Sequence, residues 1–298
     1  MQNNFWKEVR NFFVNGSVLS RLLGINIIIF LVVSIIRVLF FLFAASAAYD
    51  GVINLFGVPA NFQTLLYRPW TLFTYMFLHF DFFHILFNMI MLYVGGRLFS
   101  EFLGQKRLTG TYVLGGLAGA LFFILAYNIF PVFQEIKTVS VAIGASASVL
   151  AIFIAISTYM PDYQLPLILL GRIKLKYIAI FFIVIDIISI DQGNAGGHLA
   201  HLGGALWGFL YIMMLKKGQD PAKWSGSWIQ AISSIFKPKP KLRVEYRSER
   251  PMSDDEYNRR KVQNQKRMDE ILDKISSRGY ESLTSEEKEI LFKLSNKE

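Results

Sequence analysis

Six apolar stretches, separated by shorter polar ones, dominate the first 215 residues of the chain. A membrane-spanning helix needs about 20 mostly apolar residues, and these stretches meet or approach that length. They lie at about residues 24–48, 73–96, 108–130, 144–160, 177–190 and 198–215. The pattern predicts an all-α membrane protein built as a bundle of six transmembrane helices.

The connection between the first two stretches, residues 49–72, has a mixed character. Its sequence YDGVINLFGVPANFQTLLYRPW is too apolar for a loop in water, while Gly and Pro interrupt it too often for a spanning helix. Irregular backbone at membrane depth must be covered by protein or reached by water. We therefore expect a long interfacial or partly inserted loop between helices 1 and 2.

The composition changes after residue 215. Residues 1–215 contain 12 Lys and Arg and 8 Asp and Glu, whereas residues 216–298 contain 19 and 14. The mean hydropathy of +0.38 places the whole chain in the membrane class. Four regions are predicted: an amphipathic N-terminal segment on the membrane surface (1–22), a six-helix domain (23–216), a basic linker (217–252) and a small helical cytoplasmic tail (253–298).

The basic residues alternate between the connections. Lys and Arg cluster before the first stretch, after the second, before the fifth and in the tail, while the other connections hold only Arg68 and Lys137. The positive-inside rule then predicts that both termini are cytoplasmic. This topology explains the net charge of +9, so no nucleic-acid partner is predicted.

The tail contains two signals for the start of a helix. Ser253 precedes Glu256, and Thr284 precedes Glu287, at the spacing of a capping box. Apolar residues recur at helical spacing after each signal, with Gly279 between the two segments; they are Ile271, Leu272 and Ile275, then Ile290, Leu291 and Leu294. We expect a two-helix hairpin, too small for much stability alone. Both a docking role and a solvated pair without a partner remain open.

Polar side chains within the apolar stretches are costly and need a partner or a function. The second stretch contains HFDFFHILFNM, in which His84 and Asn88 are four residues apart and share one face of a helix. His79 precedes them near the interface. His84 and Asn88 could satisfy each other at a helix contact, or both could belong to a site.

The last stretch begins with GGHLAHLGGALWG, which brings His198 and His201 to its head. These could be interfacial histidines or metal ligands. A zinc site needs three or four ligands at suitable spacing, often with a carboxylate or an HExxH pair. The chain shows no such pattern and has no cysteine. We therefore predict no metal site and no cofactor.

The sequence GASAS, residues 144–148, lies where a loop turns into the fourth stretch. A helix N-terminus offers unpaired backbone N–H groups and the positive end of the helix dipole. Ser146 could be a simple N-cap there. The same geometry suits acyl transfer, in which backbone N–H groups stabilise an oxyanion and a histidine from another helix takes the hydroxyl proton.

Together, these motifs resemble those of the rhomboid intramembrane serine proteases. They are H-x-x-x-x-H-x-x-x-N in the second stretch, G-x-S at the start of the fourth and A-H-x-G-G in the sixth. The segments YRPWTLFTYMFLHFDFFHILFN and GGRLFSEFLG match the family as well. The resemblance covers about residues 20–215 and implies a six-helix rhomboid bundle.

The resemblance implies a catalytic dyad without an acidic third member. Ser146 would be the nucleophile and His201 the general base. His84, Asn88 and the backbone N–H of Ser146 would form the oxyanion hole.

The resemblance also gives three glycines a supporting role. Gly144 would leave room beside the nucleophile, while Gly203 and Gly204 would let the sixth helix approach the fourth. The implied substrate is a transmembrane segment of another membrane protein, which enters from the lipid bilayer past the second and fifth helices. The implied location is a bacterial cytoplasmic (inner) membrane, with the active site open to the non-cytoplasmic side.

Two other functions remain as alternatives. A catalytically silent rhomboid-like protein would bind transmembrane clients without cutting them, but such proteins typically lack one of the motif residues that this chain retains. A transporter would be expected to show paired broken helices and internal repeats, and the sequence shows no convincing repeat.

The chain departs from the family pattern at three positions. Ala147 follows the nucleophile where glycine is common, and its methyl group is expected to crowd the oxyanion hole slightly. Leu150 stands where an aromatic residue often packs against the catalytic histidine. Arg68 is the candidate anchor of the loop, in place of a Trp-Arg pair.

Three further polar residues receive no catalytic role from the sequence. Ser148 is expected to point to another helix face as a packing residue. Arg37 and Asp186 lie within the first and fifth stretches and have no assignment.

Overall fold

The computed structural model describes residues 16–167, 171–222 and 253–295. The chain divides into a membrane unit within residues 1–237 and a tail unit within residues 238–298. The predicted amphipathic N-terminal segment and basic linker lie almost entirely outside the described residues. The four predicted regions therefore stay predictions.

The described part of the membrane unit is built from α-helices. They are α1 (Val18–Leu42), α2 (Ser46–Phe56), α3 (Phe62–Tyr67), α4 (Thr71–Thr74), α5 (Phe82–Leu103), α6 (Gln105–Ile129), α7 (Ser146–Tyr159), α8 (Leu175–Ile188) and α9 (Ala195–Lys216). Helices α1, α5, α6 and α9 are long and apolar enough to cross a membrane, and α7 is a shorter apolar helix. The predicted all-α membrane bundle is confirmed, with α1 and α5–α9 at the six predicted stretches.

Two helix boundaries differ from the prediction because local caps override the hydrophobic pattern. Helix α1 begins six residues early because the Ser17 hydroxyl accepts a hydrogen bond from the Ser20 N–H (3.0 Å). Helix α5 begins only at Phe82, because the Asp81 carboxylate accepts from the His84 N–H (2.9 Å) and fixes the first turn there. The apolar residues before Asp81 form α4 and a 3-10 turn at Tyr75–Phe77 instead.

The connection between α1 and α5 is a folded unit. The last backbone carbonyls of a helix have no hydrogen-bond donor within the helix. At the end of α2, three side chains from the following segment donate to three of these carbonyls. These hydrogen bonds run from Arg68 to the Asn54 oxygen (2.8 Å), from Trp70 to Leu55 (2.9 Å) and from Thr74 to Phe56 (2.6 Å). The predicted anchoring role of Arg68 is confirmed.

Two short strand pairs were not predicted. Strand β1 (Val58–Pro59) pairs antiparallel with β2 (Val141–Ala142), which ties the α1–α5 connection to the segment before α7. Strands β3 (Gln164–Leu167) and β4 (Gly171–Lys174) form an antiparallel hairpin that leads into α8.

Helix α7 is the central helix of the bundle. It is buried from Ala147 to Ser157, because α5, α6, α8 and α9 pack around it. Glycines on the neighbouring helices permit this close approach. A Cβ atom at Gly95 of α5 would lie 3.3 Å from the Phe153 ring, and one at Gly208 of α9 would overlap the backbone oxygen of Ala151.

The described tail unit is the expected two-helix hairpin, formed by α10 (Asp254–Arg278) and α11 (Ser285–Ser295). Its second capping box is complete: Glu287 accepts from the Thr284 N–H (2.7 Å), and the Thr284 hydroxyl accepts from the Glu287 N–H (3.3 Å). The Lys274 ammonium of α10 donates to both oxygens of Glu287 (2.8 Å each). Lys274 and this cap lower the pKa of Glu287 to about 2.

Candidate active site

The side chains that the sequence assigned to chemistry line one cavity of about 1170 Å³. Ser146 comes from α7, His201 from α9, and His84 and Asn88 from α5. Three helices that are distant in the sequence therefore converge at one place within the bundle.

Ser146 is the first residue of α7, and Ala145 occupies the N-cap position. The first backbone hydrogen bond of this helix runs from the Val149 N–H to the Ala145 oxygen (2.9 Å). The N–H of Ser146 therefore lies in the first turn, where helix geometry gives it no intrahelical partner. The simple N-cap interpretation is wrong, and the Ser146 hydroxyl lines the cavity instead.

Gly144 has a backbone conformation and a position that both require glycine. Its φ is +132°, a value that residues with a side chain rarely adopt. A Cβ atom there would lie 3.0 Å from His84 Nε2 and 3.3 Å from Ser146 Oγ. Gly144 thus leaves room beside Ser146, and it also shows that His84 Nε2 and Ser146 Oγ face the same small space.

The tautomer of His84 follows from its neighbours. His84 Nδ1 accepts a hydrogen bond from the Phe80 N–H (3.4 Å), so the ring proton belongs on Nε2, the nitrogen beside Gly144. Arg37 of α1 donates to the Phe80 oxygen (3.3 Å), in the next peptide unit, and so restrains the same residue. His79 packs edge-on against His84, with 5.1 Å between ring centroids.

Asn88 does not pair with the His84 ring. Its side-chain amide donates to the His84 backbone oxygen one turn earlier on α5 (2.9 Å), and between the two side chains, both of them described, the structure shows no hydrogen bond. The mutual-satisfaction alternative is therefore wrong. The His84 ring and the Asn88 amide both face the cavity as potential donors.

His201 has an acidic neighbour that the sequence did not predict. Its Nδ1 lies 2.8 Å from Oδ1 of Asp186, on α8, and the Nδ1 of His198 lies 2.8 Å from the same oxygen. Asp186 is only 5% exposed. The structure thus places a carboxylate beside His201, where the resemblance implied a dyad without an acidic third member. The available signal was a single carboxylate in the otherwise apolar C-terminal half of α8.

The Asp186, His198 and His201 side chains form the one cluster of potential metal ligands found among the described residues. Bond lengths of roughly 2.0–2.1 Å in a tetrahedral zinc site place ligand atoms about 3.3 Å apart. The two nitrogen–oxygen separations of 2.8 Å are shorter and match hydrogen bonds. The geometry therefore favours two imidazole N–H donors on one carboxylate oxygen.

Ser146 and His201 line the same cavity, but these two described side chains are not hydrogen-bonded in the structure. Because Asp186 faces Nδ1 of His201, the nitrogen left for the serine proton is Nε2. Hydrogen bonds between nucleophile and base often tighten only when substrate binds.

The two glycines after His201 contact different helices. A Cβ atom at Gly204 would overlap the backbone oxygen of Ala147 in α7, as the prediction requires. A Cβ atom at Gly203 would lie 2.7 Å from the Ala118 oxygen in α6, so the prediction that Gly203 faces the fourth helix is wrong. Consecutive residues of an α-helix point about 100° apart. Gly203 therefore contacts α6, while Gly204 contacts α7.

The departures from the family pattern have different consequences. Ala147 packs against Gly119 of α6 and does not line the cavity, so the expected crowding of the oxyanion hole is wrong. Leu150 does line the cavity. Ser148 is fully buried and lies on another face of α7, against Gly116 and away from the cavity.

Comparison with known families agrees with the helical membrane fold. The Rhomboid domain family matches residues 67–218, and a family of unknown function, DUF6576, matches residues 253–297. The first match covers more than half of the chain. The bundle of apolar helices places the chain among the helical membrane proteins. The Rhomboid domain match shows that it belongs to the rhomboid family.

Three relatives carry rhomboid-like names. RHOMBOID-like protein 12, mitochondrial, of Arabidopsis thaliana is 30% identical over 161 residues, covering 51% of this chain and 48% of the relative. Presenilin-associated rhomboid-like protein A, mitochondrial, of Danio rerio is 28% identical, covering 46% and 35%. Presenilin-associated rhomboid-like protein, mitochondrial, of Rattus norvegicus is 25% identical, covering 49% and 39%. The chain thus spans less than half the length of these relatives.

The names of these relatives contradict the predicted bacterial cytoplasmic membrane, because all of them are described as mitochondrial. That prediction is wrong. Basic residues indicate on which side of a membrane a connection lies, but they carry no information on which membrane it is. The bacterial assignment came from the resemblance alone.

Proposed function

We propose that this rhomboid-family chain is an intramembrane serine endopeptidase, which cleaves transmembrane segments of membrane-anchored proteins. The observation that supports this most strongly is the convergence of Ser146, His201 and His84 in one cavity within the bundle. Each brings a different chemical capacity: a hydroxyl at a helix N-terminus, an imidazole and an N–H donor.

In the proposed reaction, Ser146 Oγ attacks the scissile carbonyl carbon while His201 Nε2 takes the hydroxyl proton. The carbonyl oxygen becomes an oxyanion. The N–H of Ser146, the Nε2–H of His84 and the Asn88 amide are the donors available to stabilise it. His201 then returns the proton to the leaving nitrogen as the carbon–nitrogen bond breaks. Water next attacks the acyl-enzyme while His201 takes its proton, and His201 gives that proton to Ser146 Oγ as the ester bond breaks.

The shape and lining of the cavity suit an apolar peptide. Phe87 and Met91 of α5 line one part of it, and Phe182 and Ile185 of α8 line another. A transmembrane segment that arrives from the lipid bilayer between α5 and α8 would meet apolar side chains first and polar groups only at the reacting bond. Membrane-protein substrates are therefore the proposed partners.

The alternative is a silent rhomboid-like protein that binds transmembrane clients. Its usual sign, loss of a catalytic group, is not found at Ser146, His201, His84 or Asn88. The retained groups favour the protease.

The test is cleavage of a panel of synthetic transmembrane substrates by the protein in lipid vesicles. Ser146→Ala and His201→Ala should abolish cleavage. Ser148→Ala is the matched control and should retain it, because Ser148 lies outside the cavity. Cleavage by Ser146→Ala would contradict the proposal. Substrates that bind without being cut by the unmodified chain would favour the client-binding function.

A further inference from the structure

We propose that Asp186 is a positioning residue for His201, so that the proposed protease acts through a Ser146–His201–Asp186 unit. This inference rests on the proposed function. It concerns a carboxylate for which neither the sequence motifs nor the resemblance provides a role.

The hydrogen bond to Asp186 determines the tautomer of His201. An ionised carboxylate can only accept hydrogen bonds, so at 2.8 Å from Asp186 Oδ1 the Nδ1 of His201 must carry a proton. In the neutral ring, Nε2 then has the lone pair that can take the Ser146 proton. Without Asp186 the ring could adopt the other tautomer, in which Nε2 is already protonated and cannot act as a base.

Asp186 also restrains the His201 ring in a chain that lacks the aromatic residue which often packs against this histidine in the family. Leu150 lines the cavity where an aromatic ring would stack on the histidine in the family pattern. An aliphatic side chain cannot fix the plane of the imidazole by stacking. The hydrogen bond from α8 restrains the ring by a different means.

The location of Asp186 argues against a purely structural role. Burying a carboxylate within a membrane bundle carries a desolvation penalty of several kcal/mol. An apolar residue would fit the pattern of α8, which is otherwise Leu, Ile, Phe, Val, Ala, Tyr and one Lys over Leu175–Ile188. A function that needs the charge explains why this carboxylate is buried at all.

His198 provides a control for the role of Asp186, because its Nδ1 lies 2.8 Å from the same Asp186 oxygen. It is one turn before His201 on α9. Replacing His198 removes one of the two donors to Asp186 and leaves the hydrogen bond to His201 in place. His198→Gln is therefore the matched control for loss of contacts around Asp186.

The proposed role requires no proton transfer to Asp186. When His201 takes the Ser146 proton, the imidazolium carries a proton on each nitrogen, and the carboxylate stays ionised and stabilises the positive charge. The Oγ–carbon bond forms in this step, and the carbon–nitrogen bond breaks when His201 Nε2 returns the proton to the leaving amine.

The first test compares Asp186→Asn with His198→Gln in the vesicle cleavage assay. An asparagine amide can donate to Nδ1 and so favour the wrong tautomer of His201. We expect kcat of Asp186→Asn to fall by about 10²- to 10⁴-fold, with little change in KM and in the thermal unfolding midpoint. His198→Gln should lose less than about tenfold in kcat, well below that range. Equal losses in the two variants, or a kcat within about threefold of the unmodified chain in Asp186→Asn, would overturn the inference.

A second measurement uses the unmodified chain, which covers the case that Asp186→Asn does not fold. Nitrogen NMR of histidine-labelled protein at neutral pH, assigned with His201→Gln, should show His201 protonated on Nδ1 and unprotonated on Nε2. The opposite tautomer would overturn the inference. So would cleavage that a chelator abolishes and zinc restores, since Asp186, His198 and His201 would then be metal ligands.

The two proposals fail in different ways. If the unmodified chain cuts no substrate, the proposed function fails, and the positioning role of Asp186 fails with it. If the unmodified chain cuts and Asp186→Asn cuts equally well, only the role of Asp186 is contradicted.

Discussion

Gly204 of α9 lies directly against the backbone oxygen of Ala147 in α7. Gly204 follows His201 by three residues, and Ala147 follows Ser146 by one. The contact therefore sets the distance between the helices that carry the proposed base and the proposed nucleophile. A side chain at position 204 would push α7 and α9 apart next to Ser146 and His201.

We expect Gly204→Val to abolish cleavage and to lower the unfolding midpoint. Overpacking of this kind typically costs about 1–3 kcal/mol, and here a Cβ atom already overlaps the Ala147 carbonyl. The measurements are the vesicle cleavage assay and thermal unfolding in detergent. Gly51→Ala is the control, because a Cβ atom at Gly51 meets nothing within 4 Å. Full activity of Gly204→Val would show that α7 and α9 need no close contact.

Gly144→Ala should reduce kcat more than it reduces stability. The added methyl group would lie between His84 Nε2 and Ser146 Oγ, and the residue would have to adopt a φ of +132°. Gly171→Ala separates the two effects. Its φ is +73°, so it shares the backbone strain, but a Cβ atom there meets nothing within 4 Å. We expect Gly171→Ala to lose stability only, and equal kcat losses in the two variants would contradict the assigned role of Gly144.

The proposed oxyanion donors on α5, His84 and Asn88, should act on the transition state. Removing one such donor typically lowers kcat by about 10²- to 10³-fold. We expect losses of that order for His84→Ala and for Asn88→Ala, with KM nearly unchanged, in steady-state cleavage assays. Asn128→Ala is the control, since its amide donates to the carbonyl one turn earlier, Ile124, and to that of Ala60 (2.8 Å each), but does not line the cavity. A similar kcat loss in Asn128→Ala would point to a general packing effect.

Much of this arrangement follows from the sequence, and the reason is local geometry. The spacing of His84 and Asn88 puts both on one face of α5, and the apolar runs locate the six helices. The nucleophile role of Ser146 came from the resemblance, because G-x-S occurs in order with motifs on two other helices. The position of Ser146 at a helix N-terminus left an N-cap open as well.

The parts that sequence did not predict depend on tertiary contacts or on caps. Asp186 meets His201 only because α8 packs beside α9, and no spacing rule connects the two residues. The face of Gly203 depends on the rotation of α9 between α6 and α7. The start of α5 depends on Asp81, whose cap overrides a continuous apolar run.

The tail hairpin should lose stability in acid through Glu287. Its pKa is held at about 2, below the usual value of 4.5, by Lys274 and the Thr284 cap. The stabilisation is therefore fully present above about pH 4.5 and is lost as the pH falls towards 2. Hydrogen exchange in the first turn of α11, corrected for intrinsic rates, should show this loss.

Two variants identify the group responsible for that acid response. Glu287→Gln should remove most of the pH dependence, while Glu286→Gln, in the same turn, should keep it. An unchanged acid response in Glu287→Gln would contradict the assignment.

The most direct test of the central claim is covalent labelling of the full chain in lipid with a serine-reactive fluorophosphonate, followed by peptide mapping. We predict one modified serine, Ser146, with labelling abolished in His201→Ala and retained in Ser148→Ala. Labelling at Ser148, or labelling of Ser146 at an undiminished rate in His201→Ala, would contradict a Ser146 nucleophile activated by His201.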